Sequence, residues 1–529
     1  MATHRWAGKP AVSALFAGGV GFCALVLLNV GGYRYGVSDQ AFYIPVVMHE
    51  LTPTLFPHDA SLIAAQDKFF AFDDWFAPLL ALTGIPLSSA FLTAYGLTLV
   101  VLYGALVGLG RVFYTSQWAV AGLVVGLTMR HRIPDTAVNS LEGYFHPRLL
   151  AFALGLWSVV WCLRGRTWPA LFMLGLASLV HPTTALWFVV LVGPAVLVSD
   201  RDERPRLLAI AGAATLTAVY LLAVPLSGHL VAMDPVWVDV LSVKDYLNPV
   251  EWPWSSWLAN LGLGAVIAGV FLYRRRLGLV SSSETGVVIG CAVLVCLFLA
   301  SVPLSHAHIA LVVQLQTSRI FWLLDVLASA YMGWLLIESP LWSRSSWHRV
   351  SIVGLAGLRT APRWGVVAIL VVLAISRGVY VTFVVPAGRP ITDDQAIVAD
   401  WRVVMRWAGQ QPIGTHFLAD PAHANLYGSS VRVASGRDVY LEIVKDVGMA
   451  IYSADIAHRV KRRVDDLGHF ANLNPERARS LARRYDLDFL VTEHDVPLPE
   501  ATRSGRFHVY DLSDVDESPP RATPDPRTP

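Results

Sequence analysis

Runs of about 20 apolar residues, most of them joined by short basic connectors, recur along this 529-residue chain and limit its fold more than any other feature. A helix that crosses a bilayer needs about 20 mostly apolar residues, because each adds about 1.5 Å and the hydrocarbon core is about 30 Å thick. We read such runs near 11–31, 88–110, 117–129, 147–163, 168–180, 183–199, 207–227, 256–273, 286–303, 309–337 and 364–385, about eleven in all. The runs 117–129 and 168–180 are short enough to be half-spans buried in protein. The run 309–337 is long, and Gln314, Gln316 and Arg319 interrupt its start, so it reads as a re-entrant piece followed by a true span. The first run follows Arg5 and Lys9 as a signal peptide would, but it exceeds a typical signal core and reads as a retained anchor.

Composition agrees with a polytopic membrane protein. Charged residues make up 15% of the chain, against about 25% in a soluble domain, and apolar residues 54%. A net charge of +2 carries no polyanion signal, so nucleic acid is not an expected partner. Cys23, Cys162, Cys291 and Cys296 all lie in apolar runs and read as small buried side chains, with no disulfide and no metal site expected.

Lys and Arg in the short loops set the orientation. With a cytoplasmic N-terminus, the inner loops hold Arg111; Arg164 and Arg166; Arg201, Arg204 and Arg206; Arg274, Arg275 and Arg276; and Arg344, Arg349, Arg359 and Arg363. The outer loops carry only Arg34, Lys68, Arg130, Arg132 and Lys244. The expected location is the plasma (inner) membrane, and this orientation puts the C-terminal region outside the cytoplasm. The unusual chemistry then faces outward, in 32–75, 130–146, the corner at His181, 234–256 and 305–308.

Composition shifts near 387. A helical period runs over 392–408 and further helices over 453–466 and 475–485, while 415–420, 431–436, 488–494 and 506–512 read as strands. The expected architecture is an α-helical polytopic domain over 1–386 with a long first outer loop (32–75), a small α/β domain over 387–513, and a disordered Pro-rich tail over 514–529. Arg477, Arg479, Arg483 and Arg484 on 475–485 form a solvated face or a contact for anionic headgroups. The chain contains no Walker loop, GxGxxG, GxSxG or Cys/His zinc spacing.

Several polar residues at the mouths of the apolar runs could carry chemistry. Asp39, in SDQAFY just past the first run, is a solvated loop residue, a helix cap or a general base held above the bilayer. Asp59, in LFPHDASL after His58, is a turn residue or a second member of an acid/base or metal-binding pair. Asp73 and Asp74 suit a helix N-cap. Glu142, His146 and Arg148 lie in LEGYFHPRLL, where Pro147 suits a helix start and Arg148 would either snorkel or clamp a phosphate or an acceptor. His181, in LVHPTTALW, is either packed and hydrogen-bonded or a site residue. Arg319 in mid-bilayer would cost about 2.5–3.5 kcal/mol without a partner. It is read as a phosphate ligand near His306 and His308, or as an ion pair with Asp325 or another carboxylate.

The stretches SDQAFYIPVVMHELTPTLFPHD, GYFHPRLLAFALGLW, HPTTALWFVVL and HFLADPAHANLYGSSVRVASGRDVYLEIVKD resemble a bacterial group within the GT-C superfamily, over about residues 10–512. GT-C proteins are integral membrane glycosyltransferases that use polyprenyl-phosphate-linked sugars. The resemblance implies that the acidic residue after the first span, here Asp39, is the catalytic base, and that basic residues, here Arg319 and Arg148, line a lipid-phosphate pocket. Some members carry adjacent acidic residues at that point, whereas this chain has Asp39-Gln40, which weakens a metal-binding pair there; a divalent cation stays open as a cofactor. The expected reaction passes a sugar from the lipid donor to a glycan, lipid or protein acceptor of the cell envelope, with His181 or His306 orienting a phosphate or a sugar hydroxyl. The rivals are a non-enzymatic GT-C-like protein that binds or assembles glycans, and a transporter or flippase dependent on Asp325.

Overall fold

The computed structural model describes residues 12–67, 72–199, 229–340, 363–385 and 399–513. The run 207–227, the arginines Arg201, Arg204, Arg206, Arg344, Arg349 and Arg359, Lys68, the leading Arg5 and Lys9, the stretch 387–398 and the tail 514–529 lie outside the described residues. The chain divides into two compact units. The first comprises Met1–Tyr35, Gln66–Ala396 and Ile451–Ala454; the second comprises Gly36–Ala65, Ile397–Ala450 and Asp455–Pro529.

The first unit is helical. Val12–Val30, Leu87–Phe113, Trp254–Arg276, Ser282–His306, Ala310–Ile337 and Trp364–Val384 are long and apolar enough to cross a membrane. Large apolar side chains such as Phe16, Leu97, Leu258 and Val372 stand exposed on them, as a lipid-facing surface requires. The chain is therefore a multi-pass membrane protein, with six helices of crossing length and apolarity among the described residues. Four further apolar helices, Gln117–Gly126, Pro147–Leu163, Thr167–Val180 and Pro182–Val198, are shorter. At about 1.5 Å per residue, the 17 residues of Pro147–Leu163 reach about 26 Å, short of a full hydrocarbon core.

Small residues set the helix packing. Gly286 and Gly290 occupy one face of Ser282–His306, where Pro182–Ser199 crosses it. A Cβ at Gly290 would stand 2.0 Å from the Leu191 carbonyl oxygen, and one at Gly286 2.2 Å from the Ala195 Cα. This is close approach of two backbones through small residues spaced one turn apart. Arg274, counted above among connector charges, is buried: its Nε donates to Glu284 Oε1 at 2.9 Å, and the Tyr331 hydroxyl donates to the same oxygen at 3.2 Å. Cys296 is exposed on its helix, so burial of all four cysteines does not hold; Cys291, five residues earlier, points inward. Asp73 and Asp74 lie in the first described turn of Phe72–Thr83, where the helix dipole favours carboxylates. A short hairpin, β1 (Arg132–Ile133) and β2 (Val138–Asn139), lies in the polar stretch before Pro147–Leu163.

The second unit is α/β. Its sheet has the order β4-β3-β5-β7-β6, with β3 at His416–Leu418, β4 at Asp438–Val439, β5 at Phe489–Thr492, β6 at Glu500–Ser504 and β7 at Phe507–Asp511. β3 is parallel to both β4 and β5, while β7 is antiparallel to β5 and β6. Trp401, Met405, Phe417, Val439, Val491 and Phe507 help form its core. The stretch 431–436 is a helix, Val431–Ser435, and not a strand. Its alternating valines mimic a strand period, but Arg432 between them is buried in ion pairs, Ser435 Oγ donates back to Val431 O, and Gly436 closes the turn at φ 67°.

The segment Gly36–Ala65, grouped by sequence with the first outer loop, belongs to this unit. Its helix Gln40–Leu51 packs on Val431–Ser435. Asp59 anchors it. The Asp59 carboxylate is fully buried and accepts from Arg432 Nε at 2.7 Å, from Arg459 Nη2 and from the Val439 amide. The Asp59 amide in turn donates to Asp438 Oδ1 at 2.9 Å.

Candidate functional site

Two apolar helices of the first unit begin with the same dipeptide. His146-Pro147 opens Pro147–Leu163, and His181-Pro182 opens Pro182–Ser199. Proline suits a first helical position because the N–H it lacks would have no partner there. Each histidine caps the turn that follows. The Arg148 amide donates to His146 Nδ1 at 3.1 Å, and the Thr184 amide donates to His181 Nδ1 at 3.3 Å. The Thr183 and Thr184 hydroxyls also lie 3.1 and 3.0 Å from His181 Nδ1. An imidazole that accepts through Nδ1 carries its proton on Nε2, so each neutral ring offers an Nε2–H donor on its other edge. Both residues are buried, and their ring centroids are 6.4 Å apart. Burial first, and then the charges of His146, Arg319 and Arg148, push the His181 imidazole well below its ordinary pKa.

Arg148 and Arg319 act electrostatically on His181. Arg148 is buried in the first turn of its helix, with its guanidinium 5.9 Å from the Trp322 ring centre. Arg148 Nη2 and Arg130 Nη2 lie 3.8 and 3.7 Å from opposite oxygens of Glu142, so two guanidiniums share one carboxylate. Asn139 Nδ2 donates to Glu142 at 3.2 Å, which fixes that carboxylate against the β1–β2 hairpin. Arg319 ends a 3-10 turn, Thr317–Arg319, at the start of Ile320–Ile337. There the long apolar segment is broken: Ala310–Leu315 stops at Gln316, which has φ 48°. The buried polar atoms Gln314 Nε2, Gln316 Oε1, Ser318 Oγ and Trp322 Nε1 have no hydrogen-bond partner among the described residues. A break in an apolar helix that leaves buried polar groups unsatisfied is where membrane proteins place ligands.

The other sequence candidates fall elsewhere. Asp325, one of the carboxylates offered as an alternative partner for Arg319, lies 3.1 Å from His131 Nε2. His306 is exposed and His308 half-buried; their rings are 6.5 Å apart, and the Met233 amide donates to the His308 carbonyl at 2.9 Å. In the second unit, Asp39 precedes helix Gln40–Leu51 but its side chain does not cap it. Asp39 Oδ1 stands 3.4 Å from Lys445 Nζ, which in turn sits 4.9 Å from the Phe42 ring centre. Gln40 beside it is fully buried and accepts from the Gly36 amide at 2.7 Å, so it serves the loop.

Asp59 has both carboxylate oxygens occupied. Burial would raise its pKa, but Arg432, Arg459 and Arg463 outweigh that and hold the carboxyl far below the usual range. Among the described residues, no three His, Cys, Asp or Glu side chains converge as metal ligands. The His-Pro dipeptide at 146–147 and again at 181–182 is a sequence signal that could have pointed to this pairing, which reading each histidine by itself misses. No local signal pointed to Lys445, which lies 406 residues from Asp39.

An apolar cavity of about 330 Å³ also opens in the first unit among Val12–Val30, Leu87–Phe113 and Gln117–Gly126, lined by Phe22, Val107, Val124 and Arg111 among others. Comparison with protein-family models finds no match, and neither does comparison with curated proteins.

Proposed function

We propose that this protein is a GT-C-type membrane glycosyltransferase that moves a sugar from a polyprenyl-phosphate donor to an envelope glycan, lipid or protein. The observation that carries this reading is the paired His-Pro helix starts, with rings 6.4 Å apart beside Arg148. Helix N-termini, imidazole N–H groups and guanidiniums all favour a bound anion, and a phosphate is the anion that a lipid-linked sugar carries. With the four shorter helices and the run 207–227 counted as crossings, the chain would pass the membrane about eleven times, N-terminus inside.

In the membrane unit, Arg148, Arg319, His146 and His181 hold the donor phosphate, with Glu142 fixing Arg148. As the GT-C resemblance implies, Asp39 takes the proton of the acceptor hydroxyl. The hydroxyl oxygen bonds to the anomeric carbon, the bond from that carbon to the phosphate oxygen breaks, and the polyprenyl phosphate leaves with the electron pair. The cations stabilise the charge that grows on the phosphate. Asp59 we read as architectural, since its oxygens are spent on arginines.

The test deletes the gene in its host, profiles envelope glycans and lipid-linked sugars, and restores wild type or Asp39→Asn. Loss of a glycan with accumulation of its sugar-lipid, rescued by wild type alone, supports the reading. Full rescue by Asp39→Asn removes Asp39 as the base and favours the non-enzymatic glycan-binding alternative. The broken helix at Gln316 and the His131–Asp325 pair favour a second reading, a transporter or flippase. Substrate movement by the purified protein that Asp325→Asn abolishes, with no sugar transfer by the wild type, would select it.

A further inference from the structure

The second unit holds a pocket of about 310 Å³ that the reading above does not use. It opens at the carboxyl end of the parallel strands. Asp420 follows β3 by two residues, Glu493 and His494 follow β5 directly, and Arg506 immediately precedes the antiparallel β7. From β3 the chain moves first to β4 on one side and later to β5 on the other. The pocket therefore lies outside the crevice between β3 and β5 where strand order reverses, the place where open α/β sheets bind ligands.

Its chemistry narrows the ligand. Two carboxylates, Asp420 and Glu493, line it with Thr492, His494 and Arg506, and Tyr427 and Phe470 supply aromatic surface. Glu493 is fixed by Arg506 Nε at 3.2 Å and by the Tyr427 hydroxyl. Asp420 Oδ1 accepts from the Ala422 amide at 2.7 Å, which sets the direction of its second oxygen. A phosphate would meet two carboxylates, and the β3 turn, ADPAHANLYG, has no glycine-rich loop and only a four-residue helix, His423–Leu426. A neutral polyhydroxyl ligand fits instead. Carboxylates accept from vicinal hydroxyls, His494 and Arg506 donate, and an aromatic ring covers the C–H face. The volume is at the small end of the roughly 300–1,000 Å³ of ligand sites, suited to a mono- or disaccharide.

We propose that this pocket binds a neutral sugar unit of the acceptor glycan. The assignment to an acceptor rests on the transferase reading; the sugar binding does not.

The experiment is saturation-transfer NMR on the full-length protein in nanodiscs, with glucose, galactose, mannose and their disaccharides as probes. We expect transfer to at least one of them, lost about 10-fold or more in Asp420→Asn and in Glu493→Gln. Both substitutions keep the side chain's shape, and a thermal scan confirms folding. His494→Ala, at an exposed position, gives a third variant independent of the fold and should weaken binding as well. Silence with every sugar overturns the proposal, as does binding indifferent to all three variants. Binding of inorganic phosphate or of calcium alone, abolished by the same variants, also overturns it. Sugar binding that persists when Asp39→Asn leaves transfer intact would mean that the transferase reading has failed and the pocket has not.

Discussion

At the scale of single residues, the two arginine environments call for opposite behaviour. In the proposed donor site Arg148 would offer a fork to a phosphate, so Arg148→Lys keeps the charge but loses the paired geometry. We expect the apparent KM for the lipid donor to rise about 10- to 100-fold, with kcat less affected, as a charge-assisted hydrogen bond of about 1.5–3 kcal/mol is lost. Steady-state transfer with purified protein measures this, and an unchanged KM would remove Arg148 from the donor site. Asp59→Asn acts on the fold instead. It leaves Arg432 and Arg459 facing a neutral side chain in a buried site, and should cost about 3–5 kcal/mol in unfolding measurements.

Glu442 supplies a pH signature. It is fully buried, and burial pushes its carboxyl up to about 7 against the opposing pull of Arg432 at 3.7 Å, which Asp59 and Asp446 also hold at 2.7 Å each. The folded pKa thus lies above the unfolded value. Between about 4.5 and 7 the unfolded chain releases a proton that the folded one keeps, and stability falls as pH rises. Glu442→Gln has no such proton. Relative to wild type it should gain up to about 3 kcal/mol between pH 5 and pH 8 in thermal or denaturant unfolding. A variant that loses ground at pH 8 would mean that ionised Glu442 stabilises the fold.

At the scale of elements, the tight crossing of Ser282–His306 with Pro182–Ser199 depends on two glycines. Gly290→Leu would drive a side chain into the Leu191 backbone and should destabilise the membrane unit by about 1–3 kcal/mol or more, seen as a lower melting temperature in detergent. Gly264→Leu, at a position whose nearest neighbour is a Val295 methyl at 3.6 Å, should be milder. The long apolar helices were legible in the sequence because one period and one length describe them, and 147–163 and 475–485 were read to the residue. The helix at 431–435 was not, because its decisive interactions are made by Arg432 with Asp59, 373 residues away. The break at Gln316 showed in advance as polar residues inside an apolar run, though its left-handed turn did not.

At the scale of the whole molecule, the division into units was only partly legible. The shift in composition near 387 marked the start of the α/β portion, but nothing local in 36–65 shows that this segment belongs with it. That membership rests on a buried carboxylate and three arginines whose pairing is visible only in three dimensions. The candidate residues were mostly named from sequence, because a polar residue at the mouth of an apolar run is conspicuous. What they do together was not, since the His146–His181 pairing joins helix starts 35 positions apart.

In the proposed reaction the protein transfers a sugar from a lipid phosphate with Asp39 as base. The most direct measurement is the level of lipid-linked sugar in a deletion strain that carries either wild type or Asp39→Asn at equal expression. Asp39→Asn should accumulate one sugar-lipid and lose its glycan, while wild type should show normal levels of both. Normal levels of both with Asp39→Asn would contradict it.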